Sequence, residues 1–145
     1  MSESSSLLRV AILDTETTGL YPSSDRIIEI AVILVAAEAG TGRVVAELGR
    51  YAALQDPGFP IPWGAFAVHG ISDAMVKGHA IDAAAVRALL AQADLVVAHN
   101  AGFDKGFVAQ VLPEAPGLPW ACSCRGVPWR THFPVLNAKL QDRCA

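Results

Sequence analysis

Leu7-Leu-Arg-Val-Ala-Ile-Leu-Asp-Thr-Glu-Thr-Thr-Gly19 runs an apolar segment into two carboxylates two residues apart, and its reading decides the fold. Leu7, Leu8, Val10, Ala11, Ile12 and Leu13 predict a short buried strand, and Thr17-Thr18-Gly19 has the composition of the turn that ends it. Side chains alternate along a strand, so Asp14 and Glu16 point to one face and Thr15 to the other. Two anions side by side repel unless a cation joins them. Hard divalent ions such as Mg²⁺ take oxygen ligands of this kind and commonly share coordination with substrate phosphates. Taken alone, a D-x-E pattern is better explained by a strand end whose acids sit in water.

The chain has 145 residues, a length that fits one domain. A domain of this size buries about two-thirds of its unfolded surface. Hydrophobic residues make up 52% and charged residues 17%, which excludes a disordered chain. No apolar run approaches a membrane span. Residues 1–6 read as a loose tail without the basic and apolar regions of a signal peptide, so the expectation is a cytoplasmic protein with no membrane association. Cys122, Cys124 and Cys144 suggest reduced thiols, and the histidines at 69, 79, 99 and 132 supply no zinc spacing with them. The net charge of −3 argues against broad coating of DNA but not against a nuclease, since bound metal ions carry positive charge of their own.

Arg26 to Val35 predicts a central strand with Glu29 its one interior charge, and Ala39-Gly40-Thr41-Gly42 a tight connection to a third strand over Arg43–Leu54. Residues 55–64, with Pro57, Pro60 and Pro62, predict an irregular crossing loop. Ser72 and Asp82 are candidate N-caps. Asp82 opens a helix to Ala93 whose stripe is Val86, Leu89, Leu90 and Ala93. A short strand at Leu95–Ala98, a helix over Ala101–Leu112 stopped by Pro113, and a fifth strand around Trp120–Ser123 complete an α/β pattern: antiparallel strands one to three, then alternating helix and strand.

His99-Asn-Ala-Gly-Phe-Asp104 lies where the fourth strand meets its helix, at the carboxyl end of a strand, where open α/β sheets bind ligands. Asp104 is in register with Phe107, Val108 and Val111, so it points from the apolar stripe. Burying an unpaired carboxylate is expensive, and the remedies are protonation, a basic partner or a metal. Lys105, about 100° round the helix, is a poor partner. The plain alternative is an acid that complements the helix dipole in the first turn.

Asp14-Thr-Glu-Thr-Thr-Gly19 and His99-Asn-Ala-Gly-Phe-Asp104 together resemble the first two motifs of the DEDDh 3′→5′ exonucleases, and most of all those of the epsilon proofreading subunit of bacterial DNA polymerase III. The segments Arg26–Ala31, Val68–Ile71 and Pro119–Ser123 extend the resemblance through nearly the whole chain. It implies a ribonuclease H-like mixed sheet and hydrolysis of the terminal phosphodiester at a single-stranded nucleic-acid 3′ end. It implies two Mg²⁺ or Mn²⁺ ions, with Asp14 bridging both and Glu16 and Asp104 supporting one each. Thr17, Thr18, Gly19 and Leu20 would line the terminal nucleotide, Leu20 against its base, and His69, Asn100 and Phe103 match positions near the substrate. A DNA polymerase subunit is the implied partner, in replication and proofreading.

The family's third motif is a His followed five residues later by an Asp, the first acting as general base and the second completing the metal site. His132 with Asn137 has the spacing, but Pro134 intervenes and Asn carries no charge. The expectation is therefore a single exonuclease domain over 1–145 that lacks the C-terminal helices. Its activity would be impaired or absent, and apolar Val135, Leu136 and Leu140 and one sheet face would be poorly covered, which favours association. Two other readings stand beside it: a non-catalytic member that binds nucleic-acid ends or a polymerase, and a hydrolase that borrows its last ligands from another chain in an oligomer.

Overall fold

In the computed structural model, which describes residues 6–123, the apolar run forms β1 (Leu7–Thr17), followed by β2 (Ile27–Glu38) and β3 (Val44–Leu54). β1 pairs antiparallel with β2, and β2 antiparallel with β3, which is the expected meander. The chain then crosses through α1 (Trp63–His69), α2 (Asp73–Val76) and α3 (Ala83–Ala91) to β4 (Leu95–Ala98), parallel beside β1. α4 (Ala101–Val108) and a 3-10 turn at Ala115–Gly117 lead to β5 (Trp120–Cys122), parallel to β4. The sheet order is β3-β2-β1-β4-β5.

Alternation along β1 sorts its residues as the pattern demands. Ala11, Leu13, Thr15 and Thr17 are buried, while Ile12 and Asp14 are exposed on the opposite face. Ala11 and Leu13 join Ile30, Val32 and Leu34 of β2, Val86 and Leu90 of α3, and Phe107 and Val108 of α4 in one core. Burying side chains of this kind contributes roughly 1.5–3 kcal/mol apiece before chain entropy is set against it.

Several boundaries differ from the sequence expectation. Thr17 remains in β1, opposite Ile27 after a bulge at Glu16/Thr17, so the turn begins at Thr18. β2 runs three residues past Val35 to Glu38, and Gly42 at φ 72° lets the hairpin close with the Gly42 N–H on the Glu38 carbonyl at 2.8 Å. α3 stops at Ala91 and α4 at Val108, short of 93 and 112. Both ends tighten into i→i−3 bonds, Gln92 to Leu89 and Ala93 to Leu90, then Gln110 to Phe107 and Val111 to Val108. The stripes themselves lie inward, with Val86, Leu90, Phe107 and Val108 buried and Leu89, Ala93 and Val111 packed at the edge. Asp82 caps α3, accepting from the Ala84 and Ala85 amides at 3.0 and 3.3 Å, and Ser72 caps α2, accepting from Met75 at 3.3 Å.

The largest difference is α1, since the proline spacing predicts residues 63 and 64 to be irregular. Pro62 precedes the helix and Gly70, left-handed at φ 71°, ends it with its N–H on the Phe66 carbonyl at 2.7 Å. The helix buries none of its residues, so it carries no apolar stripe for a sequence pattern to reveal.

Among the described residues no helix is long and apolar enough to cross a membrane. Residues 1–5 of the expected tail, Cys124, Cys144, the His132 and Asn137 pair, Val135, Leu136 and Leu140 lie outside the described residues.

Candidate active site

β1 and β4 pair over three residues only, Val10 with Leu95, Ala11 with Val96 and Ile12 with Val97. Beyond Ile12 the strands part, and the carboxyl end of β1 opens onto a cleft of about 930 Å³ where the sheet changes direction of connection. Asp14, Glu16, Thr17, Thr18, Gly19, Leu20, His69, Asn100, Phe103 and Asp104 all line it. Thr15, Val68, His99 and Ser123, to which the sequence reading gives no role in the site, line it too.

Asp104 enters from α4 and is 2% exposed. Its partner is Thr15, whose Oγ1 donates to Asp104 Oδ1 at 2.6 Å. Thr15 points away from Asp14 and Glu16, as alternation requires, and so meets the helix that carries the third acid. Burial pushes the Asp104 carboxyl up to about 6; the Thr15 hydroxyl opposes that rise, and the negative charge of Asp14 adds to it. Asp104 forms no ion pair among the described residues. Lys105 turns away, as its helical position suggested, and sits 5.8 Å from the centre of the Trp120 ring.

The loop after Glu16 spends its hydroxyls internally. Thr17 Oγ1 donates to the Gly19 carbonyl at 2.6 Å, and Thr18 Oγ1 donates to Asp25 Oδ1 at 3.1 Å while accepting from the Arg26 amide at 3.0 Å. Leu20 is left 70% exposed on the lip. His69 ties this loop to α1. The Ile71 N–H donates to its Nδ1 at 3.0 Å, so the ring proton is on Nε2, which donates to the Thr17 carbonyl at 3.1 Å. Both ring nitrogens are thus engaged in holding the lip.

Asn100 has φ 68°, the one positive value at a non-glycine among the described residues. Asn visits the left-handed region more readily than most residues, at a cost of about 1 kcal/mol or more, and such strain gathers at functional sites. Its side chain makes no cap bond to α4. Phe103 packs on the core with its ring centroid 4.9 Å from that of Phe107. His99 Nδ1 and Ser123 Oγ stand 3.0 Å apart at the ends of β4 and β5.

Among the described residues no group of three or more His, Cys, Asp or Glu side chains is arranged to hold a metal ion. The fit to a divalent ion is one of donor chemistry. Three carboxylates line one cleft, and the most buried of them has neutral partners and a raised proton affinity, the condition that a bound cation relieves.

An antiparallel meander extended by two parallel strands, with acids at the point where β1 and β4 part, defines a ribonuclease H-like α/β fold. A family model described as exonuclease, RNase T, matches residues 11–116, and the chain belongs to that family. A DNA polymerase III subunit epsilon-like protein of Rhodobacter capsulatus is 39% identical over 104 residues, which cover 70% of this chain and 14% of that protein. The DNA polymerase III subunit epsilon of Buchnera aphidicola is 35% identical over 111 residues, covering 72% and 44% of the two chains. The chain thus spans less than half the length of either relative. A solved structure of exonuclease X in complex with 5′ overhanging duplex DNA is similar at TM-score 0.59 and 31% identity, covering 88% of this chain and 66% of that one.

Proposed function

We propose that the chain carries most of the active site of a metal-dependent 3′→5′ exonuclease that acts on a single-stranded end, DNA in preference to RNA. The observation that carries this reading is the convergence of Asp14, Glu16 and Asp104 with the Thr17–Leu20 loop on one cleft. Asp14, Glu16 and Asp104 are the residues that would hold Mg²⁺ or Mn²⁺. Two such ions supply Lewis-acid stabilisation of the scissile phosphate and an activated water. The residues of the chain do the rest by position. With their hydroxyls used inside the loop, Thr17 and Thr18 offer main-chain groups to the phosphate and sugar, and exposed Leu20 offers an apolar surface to the terminal base. Asn100 and Phe103 line the same cleft as Asp104 and would stand beside the substrate. The names of the relatives, DNA polymerase III subunit epsilon and an epsilon-like protein, support DNA and a polymerase subunit as partners; proofreading as the role and the cytoplasm as the place are part of the same proposal.

No His followed five residues later by Asp occurs after Asp104 in the 145 residues. These residues by themselves are therefore expected to cleave slowly or not at all, and the same observation favours a second reading, in which the polypeptide binds 3′ ends without cutting them. Calorimetry with Mn²⁺ tests the site. Weak binding that disappears in Asp14→Asn and Asp104→Asn is expected, and no binding at millimolar Mn²⁺ would remove the metal site. Digestion of a 3′-labelled single strand then separates the two readings: label released by the wild type and not by Asp14→Ala marks a nuclease, whereas retention of an intact strand marks a binder.

A further inference from the structure

The loop that follows Glu16 is held from outside the cleft. Asp25 reaches back into it with both oxygens, Oδ1 accepting from the Thr18 hydroxyl and Oδ2 from the Tyr21 amide, each at 3.1 Å. Gln110, on the turn that continues α4, then grips the segment that contains Asp25. Its amide nitrogen donates to the Pro22 and Asp25 carbonyls at 3.0 and 2.9 Å, and its oxygen accepts from the Ile27 amide at 3.0 Å. Both donors and the acceptor of this side chain go to residues 22–27, more than 80 positions away in sequence. Freezing a glutamine costs side-chain entropy, roughly 1.5–2 kcal/mol, so three simultaneous bonds from one exposed residue need a reason.

Gly106 supplies the other half of the seat. It lies one turn before Gln110 on the same helical face, and a Cβ there would stand 2.9 Å from Pro22 Cγ. Asp104 is about 200° round from Gly106, so one short helix presents the acid to the cleft and its opposite side to the turn. A shift of that turn against α4 is a shift of the Thr17–Leu20 loop against Asp104.

We propose that Gln110 is a positioning residue that fixes the nucleotide-binding loop relative to Asp104, with Asp25 as the link, and so sets the grip on a terminal nucleotide it does not touch. The inference rests on the reading that Thr17–Leu20 holds that nucleotide. Gln110→Met keeps the size of the side chain and removes all three bonds, while Gln110→Glu keeps the acceptor alone. Two readouts serve: amide hydrogen exchange over residues 18–27, and the affinity for a 5′-fluorescein single strand with a 3′-terminal phosphorothioate linkage in Mn²⁺. Both are taken at a temperature where circular dichroism shows every variant folded, with Leu20→Ala as the reference for the loop.

In Gln110→Met, faster exchange at Thr18, Tyr21 and Ile27 is expected with α3 unchanged, together with roughly tenfold weaker binding, and Gln110→Glu, whose carboxylate oxygen faces the Pro22 and Asp25 carbonyls to which the amide donated, should bind no better than Gln110→Met. Wild-type affinity in Gln110→Met alongside weakened Leu20→Ala overturns the positioning role and leaves the loop reading standing. A lower melting temperature with unchanged affinity overturns it in the same way, because a purely structural residue would behave so. Unchanged affinity in Leu20→Ala removes the loop reading and the functional half of the proposal with it, while the exchange data still decide whether the brace exists. Should Gln110→Met fail to fold, Gln110→Glu carries the comparison: binding weaker than wild type is expected, and wild-type affinity overturns the positioning role.

Discussion

Asp104 carries two demands that oppose each other. Its position on an apolar stripe draws it into the core, and its charge is worth most to the cleft. With the folded carboxyl at about 6 and an unfolded one near 3.8, the folded state holds more protons between those values, so stability falls as pH rises from about 4 to about 6 and stays low above. The loss at neutral pH is on the order of 2–3 kcal/mol. Asp104→Asn removes the buried charge and is expected to raise the urea midpoint at pH 7 by the equivalent of roughly 2 kcal/mol, with little difference from wild type at pH 4. If Asp104→Asn is no more stable than wild type at pH 7, the charge is not under stress. Millimolar Mn²⁺ should stabilise the wild type at pH 7 and leave Asp104→Asn unchanged, measured as the shift in thermal midpoint. Thr15→Val, which takes away the hydroxyl on Asp104 Oδ1, should raise the carboxyl further and steepen the same pH dependence. The acid was legible in the sequence because the helical period put it among Phe107, Val108 and Val111. Thr15 was legible only as pointing elsewhere, since nothing local says which of the distant residues it will meet.

At the scale of elements, spacing was informative wherever an element buries one face. β1, β4 and the inward stripes of α3 and α4 fall where alternation and the 3.6-residue period put them, and Asp82 marks the start of α3 by its side chain. α1 escaped because it buries nothing, and only Pro62 and Gly70 bracket it. The turn between β1 and β2 was legible as a turn, but its internal order was not, because it depends on Asp25 folding back within the turn and on Gln110 and His69 reaching it from the segment after α4 and from α1. Gly19 shows the closeness that results, for a Cβ there would run into the Asp25 carboxyl. Gly19→Ala is expected to cost about 1–3 kcal/mol in urea denaturation by displacing Asp25. In an Asp25→Ala background most of that cost should vanish, since the obstructing group is gone. Additive effects of the two substitutions would place the strain elsewhere.

Across the whole molecule, the two faces of the sheet are treated unequally. α3 and α4 cover the side of Ala11, Leu13, Ile30 and Val32. On the other side, cross-strand register lines up Val10 with Val35 and Leu95, and Ile12 with Ile33 and Val97, the same face on which Asp14 and Glu16 stand. Ile12 is in the middle of the sheet and still 46% exposed. Among the described residues, Val35 on this face is buried and Val10, Ile33, Leu95 and Val97 are half-buried, so Ile12 is the apolar side chain left open beside the acids. Exposed apolar surface favours association at high concentration. Ile12→Thr keeps the β-branched preference for a strand and removes apolar area already in contact with water, so stability should change by no more than about 1 kcal/mol. Ile30→Thr, at a fully buried position of β2, should cost about 2–4 kcal/mol through lost packing and an enclosed hydroxyl. Size-exclusion chromatography with light scattering across a concentration series should find a weaker rise in mass for Ile12→Thr than for the wild type. An equal rise in both proteins would mean that the chains meet through some surface other than the face of Ile12 and Asp14.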